Sequence, residues 1–116
     1  MEAPSHFEMA EYRFYSALSH AASCDSAFPD QYRPHFEALT AHYRQLEIWA
    51  EHCLENFENR AALVGAEIAR IEGREREAAR LYEQAIRSAH TNGFVNNEAL
   101  ANELAARFYR ASASRR

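Results

Sequence analysis

The chain has 116 residues, 47% hydrophobic and 26% charged, which is enough for one core and too little for two independent domains. Its net charge of −4 is unevenly spread: residues 1–59 carry three Arg against ten acidic residues, and residues 60–116 carry ten Arg against seven. The basic excess of the second half is too small to argue for nucleic-acid binding, and nothing approaches a run of about 18 apolar residues, so a membrane span is not expected.

Only three Gly and three Pro interrupt the chain, and Ala, Glu, Arg and Leu are abundant, a composition that points to an all-α fold. All 13 basic residues are Arg, which is better read as a coding bias than as a device for phosphate recognition. The opening MEAPSHFEMAEYRFY lacks the basic start and apolar run of a secretory signal, so the expected location is cytoplasmic. Cys24 and Cys53 show no CxxC spacing and are expected as free buried thiols.

The first helix is predicted over 5–22, opened by a capping box, Ser5-His6-Phe7-Glu8, and faced by Phe7, Ala10, Phe14, Ala17, Leu18 and Ala21. SCDSAFP (23–29) reads as a polar break. A second helix over 31–53 is capped by Asp30, tolerates Pro34 in its first turn, and buries Phe36, Leu39, Tyr43, Leu46, Trp49, Ala50 and Cys53. Leu54-Glu55 reads as a linker and Asn56 as the cap of a third helix over 57–72. That helix has two usable faces, Phe57, Ala61, Val64, Ile68 and Ile71 on one and Ala62, Ala66 and Ala69 on the next, as befits an interior helix. Gly73 ends it. The fourth helix, 74–91, buries Ala78, Leu81, Tyr82, Ala85, Ile86 and Ala89, and Asn92-Gly93 supplies its left-handed terminus. A fifth, 96–111, is capped at Asn96, stapled by Val95 and Leu100, and faced by Leu100, Ala101, Leu104, Ala105 and Phe108. The last residues, 112–116, have no apolar stripe and are expected to fray. Short connections imply antiparallel neighbours.

The stretch 61–93 has the layout of a tetratricopeptide-type hairpin: a glycine turn at Gly73, small residues Ala78 and Ala85 on the second helix, and the aromatic Tyr82 between them. The first helix fits less well, with Ala66 for the usual Gly, Ala69 for a common Tyr and Ala62 for Trp.

Three longer blocks, WAEHCLENF (49–57), LVGAEIARIEGREREAARLYEQAI (63–86) and NGFVNNEALANELAARFY (92–109), resemble a segment of very large hybrid sensor kinases. In that family a serine/threonine kinase-like domain is followed by an AAA-type ATPase module, a long helical repeat region, a GAF domain and a histidine kinase. The resembling segment lies near the end of the repeat region. Leu54 stands where the family usually has Pro. The resemblance implies a tetratricopeptide-like right-handed stack of five antiparallel helices, acting as a non-catalytic scaffold in signal transduction. It also implies a segment or free-standing remnant of such a protein, with flanking kinase, ATPase or GAF modules, or a peptide, as partner. No catalytic or cofactor residue transfers: there is no glycine-rich phosphate loop and no HRD- or DFG-like stretch.

Six His raise metal and phosphotransfer readings. No two are spaced i,i+4 and no Cys pair accompanies them, so a metal site is not expected. A histidine phosphotransfer bundle is the sharper alternative, but the neighbours of His35 and His42 are bulky or acidic. Carboxylate pairs such as Glu75/Glu77 and Glu55/Glu58 fall on charged surfaces unsuited to acid–base chemistry. If the first helix of each pair lines a concave surface, Arg60, Leu63, Glu67 and Arg70 are presented to a partner of acidic or mixed charge. Leu104, Phe108 and Tyr109, lacking a following helix, form a second candidate surface for self-association as a homodimer.

Overall fold

The computed structural model describes residues 6–115. They form α1 (His6–Ser26), α2 (Pro29–His52), α3 (Leu54–Ile71), α4 (Glu75–Thr91) and α5 (Val95–Ser114), with no strand among the described residues. The capping box built on Ser5 lies outside that range.

Both glycine turns form where they are predicted. Gly73 and Gly93 each have φ +77°, a conformation costly for any residue with a Cβ. At each turn the following residue reaches back five positions: Arg74 N–H donates to the Ala69 carbonyl (2.8 Å) and Phe94 N–H to that of Ala89 (2.9 Å). The glycine N–H groups donate to Arg70 (3.1 Å) and His90 (3.3 Å), completing the paired bonds that satisfy the last carbonyls of α3 and α4.

The predicted caps fail elsewhere. Helix α1 runs through the supposed polar break to Ser26. Pro29 then opens α2 at a position where its missing N–H costs nothing, and the restriction proline places on its predecessor holds Phe28 extended, at ψ 157°. Asp30 is therefore a first-turn acid rather than a cap, and Pro34 lies inside α2. A single residue, Cys53, separates α2 from α3, so Leu54 and Glu55 are helical and Asn56 sits within the first turn, its amide donating to the Cys53 sulfur at 3.1 Å. Asn96 likewise falls inside α5, and Val95 is exposed rather than stapling. Among the described residues α5 continues to Ser114, past the predicted end at 111, Ser112 is buried, and Arg115 reaches Glu75 on α4 at 2.7 Å.

Helix α3 is the axis of the molecule. It touches all four other helices, and every residue from Asn59 to Ala69 is buried. Its most extensive contact is with α4, and Ala66 and Ala69 of α3 and Ala78 and Ala85 of α4 have almost no exposed surface. These side chains are small enough to let the backbones approach, and Tyr82 then fills the space toward α5, its ring 5.3 Å from that of Phe108. On the other side Gly65 makes room for the Tyr43 ring of α2; a Cβ there would lie 3.0 Å from it. Phe14, Leu39 and Leu46, each fully buried, fill the junction of α1, α2 and α3 and stabilise it by about 1.5–3 kcal/mol apiece. No Cα of α2 comes within 8 Å of α4, nor any of α1 within 8 Å of α5. Helices α1 and α5 thus both lean on α3 and leave a cleft between them.

Candidate functional site

The concave set is not presented as expected. Arg60, Leu63 and Glu67 are 3%, 1% and 6% exposed, and only Arg70 reaches the surface. The cause is α1, which packs over the α3 face that carries them. Leu63 is a core residue. Arg60 is a clamp: its Nε and Nη2 donate to Glu11 Oε1 of α1 (3.0 and 2.7 Å), Nη1 donates to the Asn56 carbonyl, and the guanidinium plane lies 4.9 Å from the Phe94 ring.

Glu67 and Arg70 belong to one network. The Arg70 guanidinium donates to both oxygens of Asp25 on α1 (2.9 and 3.1 Å) and to both of Glu67 one turn back (3.1 and 3.2 Å). The Tyr82 hydroxyl of α4 donates to the same Glu67 carboxylate. Burial works against the Arg70 charge, but the hydrogen bonds to Asp25 and Glu67, with their charges, outweigh it and hold the group more firmly protonated. Burial, then the neighbouring Glu67 charge, pushes the Tyr82 phenol far above its usual range. Three helices are therefore tied by four side chains whose polar atoms are largely committed to one another.

This network floors the cleft between α1 and α5, a hollow of about 310 Å³. Leu18, Ala22 and Asp25 form the α1 wall; Leu100, Leu104, Phe108 and Ala111, with Arg107 at the rim, form the α5 wall. Two of the three residues expected to drive self-association are thus cleft residues. Phe108 is 4% exposed because Tyr82 covers it, Leu104 is half-buried, and Tyr109 stays exposed with its hydroxyl donating to Glu83 Oε1 at 3.0 Å. The expected open apolar patch is accordingly reduced to Leu104 and Tyr109. Sequence reasoning missed Asp25, Leu18 and Ala22, since only tertiary packing brings α1 opposite α5.

A larger hollow of about 830 Å³ lies where α2 meets α3, lined by Ile48, Trp49, Phe57 and Phe94. Arg60, its one Arg, is bound to Glu11, so this hollow has no charged group placed to select a ligand. The α1–α5 cleft combines apolar walls with a fixed ionic floor and is the better candidate.

The histidines do meet, though not in a set that would ligate a metal. His20 of α1 and His35 of α2 face each other with Nδ1 atoms 2.9 Å apart, and His42 stacks on His20. Among the described residues no group of three or more His, Cys, Asp or Glu side chains converges in a way that could hold a metal ion. Both cysteines are free, and burial, then Asp25, pushes the Cys24 thiol up. Glu77 is held below its usual range by its hydrogen bond to Arg80, the opposite of what a general acid requires. No described helix is long and apolar enough to cross a membrane. Compared with protein-family models, curated proteins and solved structures, the chain matches none.

Proposed function

We propose that the chain is a non-catalytic, tetratricopeptide-like scaffold module of a signal-transduction protein, and that it holds a partner protein segment in the cleft between α1 and α5. In this reading α1, α3 and α5 are the inner helices of an antiparallel, right-handed stack, and α2 and α4 the outer ones. The observation that carries it is the lopsided packing of the five helices: α1 and α5 both rest on α3, while α2 and α4 stay apart. Side chains at the α3–α4 crossing add support, because Ala66, Ala69, Ala78, Ala85, Tyr82 and the Gly73 turn serve the roles that a helical-hairpin repeat needs. The resemblance of residues 49–57, 63–86 and 92–109 to the repeat region of hybrid sensor kinases supplies the signalling context.

The cleft's chemistry indicates what kind of segment it takes. Arg70 is bound to Asp25 and Glu67, and Arg107 at the rim is paired with Glu103, so neither cation of the cleft is left to attract an acidic peptide. Aliphatic side chains fit the walls, and a cationic group fits the rim beside Asp25, whose side chain is 52% exposed. The test is a crosslinking map of the whole chain with a photoreactive residue at position 104, in the cleft, or at position 33, on exposed α2. A single partner sequence captured from position 104 and absent from position 33 is expected. Equal capture from both positions would overturn the assignment.

A further inference from the structure

The two walls of the α1–α5 cleft carry matched stripes. On α1, Glu11, Tyr15, Leu18, Ala22 and Asp25 follow one another at steps of four and three residues. On α5, Asn97, Leu100, Leu104, Phe108 and Ala111 do the same. From 11 to 25 and from 97 to 111, each stripe covers about 21 Å of helix, or four turns. The stripes run in the same direction. Glu11 and Tyr15 share a hollow of about 330 Å³ with Asn96 and Asn97 at one end, while Leu18, Ala22 and Asp25 share the hollow of about 310 Å³ with the rest of the α5 stripe. Helix α3 borders both, with Arg60 in the first and Glu67 and Arg70 in the second.

That spacing selects the shape of an occupant. Wall side chains recur about every 5.4 Å, one per turn, and so do the gaps between them. A helix laid lengthwise presents its inward row at the same interval, as knobs entering holes. An extended chain presents an inward side chain about every 6.7 Å, and by its third such residue it has slipped about half a gap and meets a ridge. The hollows set the depth. Two turns of a helix about 10–12 Å across occupy on the order of 1,000 Å³, so the helix rests on the walls and only one row of side chains enters.

Charge marks the two ends. Glu11 accepts both Arg60 Nε and Nη2 on Oε1, which leaves Oε2 with no partner among the described residues, and its side chain is 30% exposed. Asp25, at the other end of the same wall, is more exposed still. Between these carboxylates the α1 stripe is uncharged, and so is the whole α5 stripe. The cations beneath, Arg60 and Arg70, are bound to those same two carboxylates. A basic side chain over either end therefore finds an acceptor, and an acidic one finds no free cation.

We propose that the segment held in the cleft is an amphipathic helix of about four turns, lying along α1 and α5 with an aliphatic row inward and a basic residue at each end, over Glu11 and Asp25. This rests on the partner reading given above and adds the shape and charge pattern of the partner.

The probe is the peptide captured through position 104, synthesised with carbon-13 labels and bound to the whole chain. NMR of the bound peptide is expected to show helical Cα shifts over about 14 consecutive residues. Replacing its two end basic residues with Gln is expected to weaken binding by about tenfold at low salt, with most of the difference gone at 1 M salt. Extended Cα shifts in the bound peptide, or an affinity indifferent to both replacements, would overturn the helix while leaving the cleft's role standing. Capture of no partner through position 104 would overturn both.

Discussion

Removing the Arg70 guanidinium is the sharpest single perturbation of the cleft floor. Arg70→Ala breaks four hydrogen bonds, two to Asp25 and two to Glu67. The Asp25 arm contributes little, because that side chain is 52% exposed and water replaces the lost partner, at a cost of about 0–1 kcal/mol. Glu67 is different. Its side chain is 7% exposed, and without Arg70 its charge keeps only the Tyr82 hydroxyl. Breaking a fully buried pair costs about 3–5 kcal/mol, and the remaining phenol bond together with the 24% exposure of Arg70 brings the expected loss to about 2–3 kcal/mol. Urea unfolding reads this as a midpoint lowered by about 1–2 M at unchanged slope. Two controls isolate the cause. Arg74→Ala removes an ion pair whose partners are 51% and 42% exposed and is expected to cost less than about 0.5 kcal/mol. Glu67→Gln placed in the Arg70→Ala chain removes the stranded charge and is expected to restore part of the loss. Equal midpoints for Arg70→Ala and Arg74→Ala, or no recovery on adding Glu67→Gln, would refute the reasoning.

Asn97→Ala on α5 strands the Asn59 carbonyl oxygen, which accepts from Asn97 Nδ2 at 2.8 Å in a side chain 2% exposed, and is expected to cost about 1–3 kcal/mol by the same unfolding assay. Ser88→Ala should go the other way: the Ser88 hydroxyl is buried with no hydrogen-bond partner among the described residues, and its removal from the last turn of α4 is expected to be neutral or stabilising by up to about 1 kcal/mol in thermal melts. At alkaline pH the buried phenols set the limit. Burial, then the charge of Glu47, pushes Tyr43 up to about 12, and Tyr82 is pushed higher still. The folded chain therefore keeps protons that the unfolded chain gives up, and stability is expected to fall as pH rises above about 10, with tyrosinate absorbance appearing cooperatively on unfolding.

The helices were legible because their apolar spacing and two left-handed glycines are local signals. Gly73 and Gly93 stop α3 and α4 by chemistry contained within six residues. The caps misled because Asn56 and Asn96 are good cap formers in isolation, yet here the first turns start earlier, at Cys53 and Phe94, and close through backbone hydrogen bonds alone. The extension of α5 past 111 was not foreseen because it goes with burial of Ser112 and a contact from Arg115 to Glu75 on α4, and no periodicity announces either. The site was half legible. Glu67 and Arg70 were expected on an open face of α3, but their exposure depended on whether another helix covers that face, and α1 does. Arg60 and Leu63 vanish into the core for the same reason. Phe108 was expected to lie bare beyond the last helix, whereas Tyr82 already covers it from α4. The His20–His35 contact joins rings 15 residues apart on different helices, a pairing that spacing rules for a single helix cannot see.

The most direct test of the partner cleft is affinity. The segment captured from position 104 would be titrated calorimetrically against the native chain, Leu104→Glu, and Leu54→Glu, the last a change on exposed surface outside the cleft. A charge buried among Leu18, Leu100 and Phe108 is expected to weaken binding by at least about tenfold, with Leu54→Glu unchanged. Unaltered affinity for a folded Leu104→Glu chain would contradict the account.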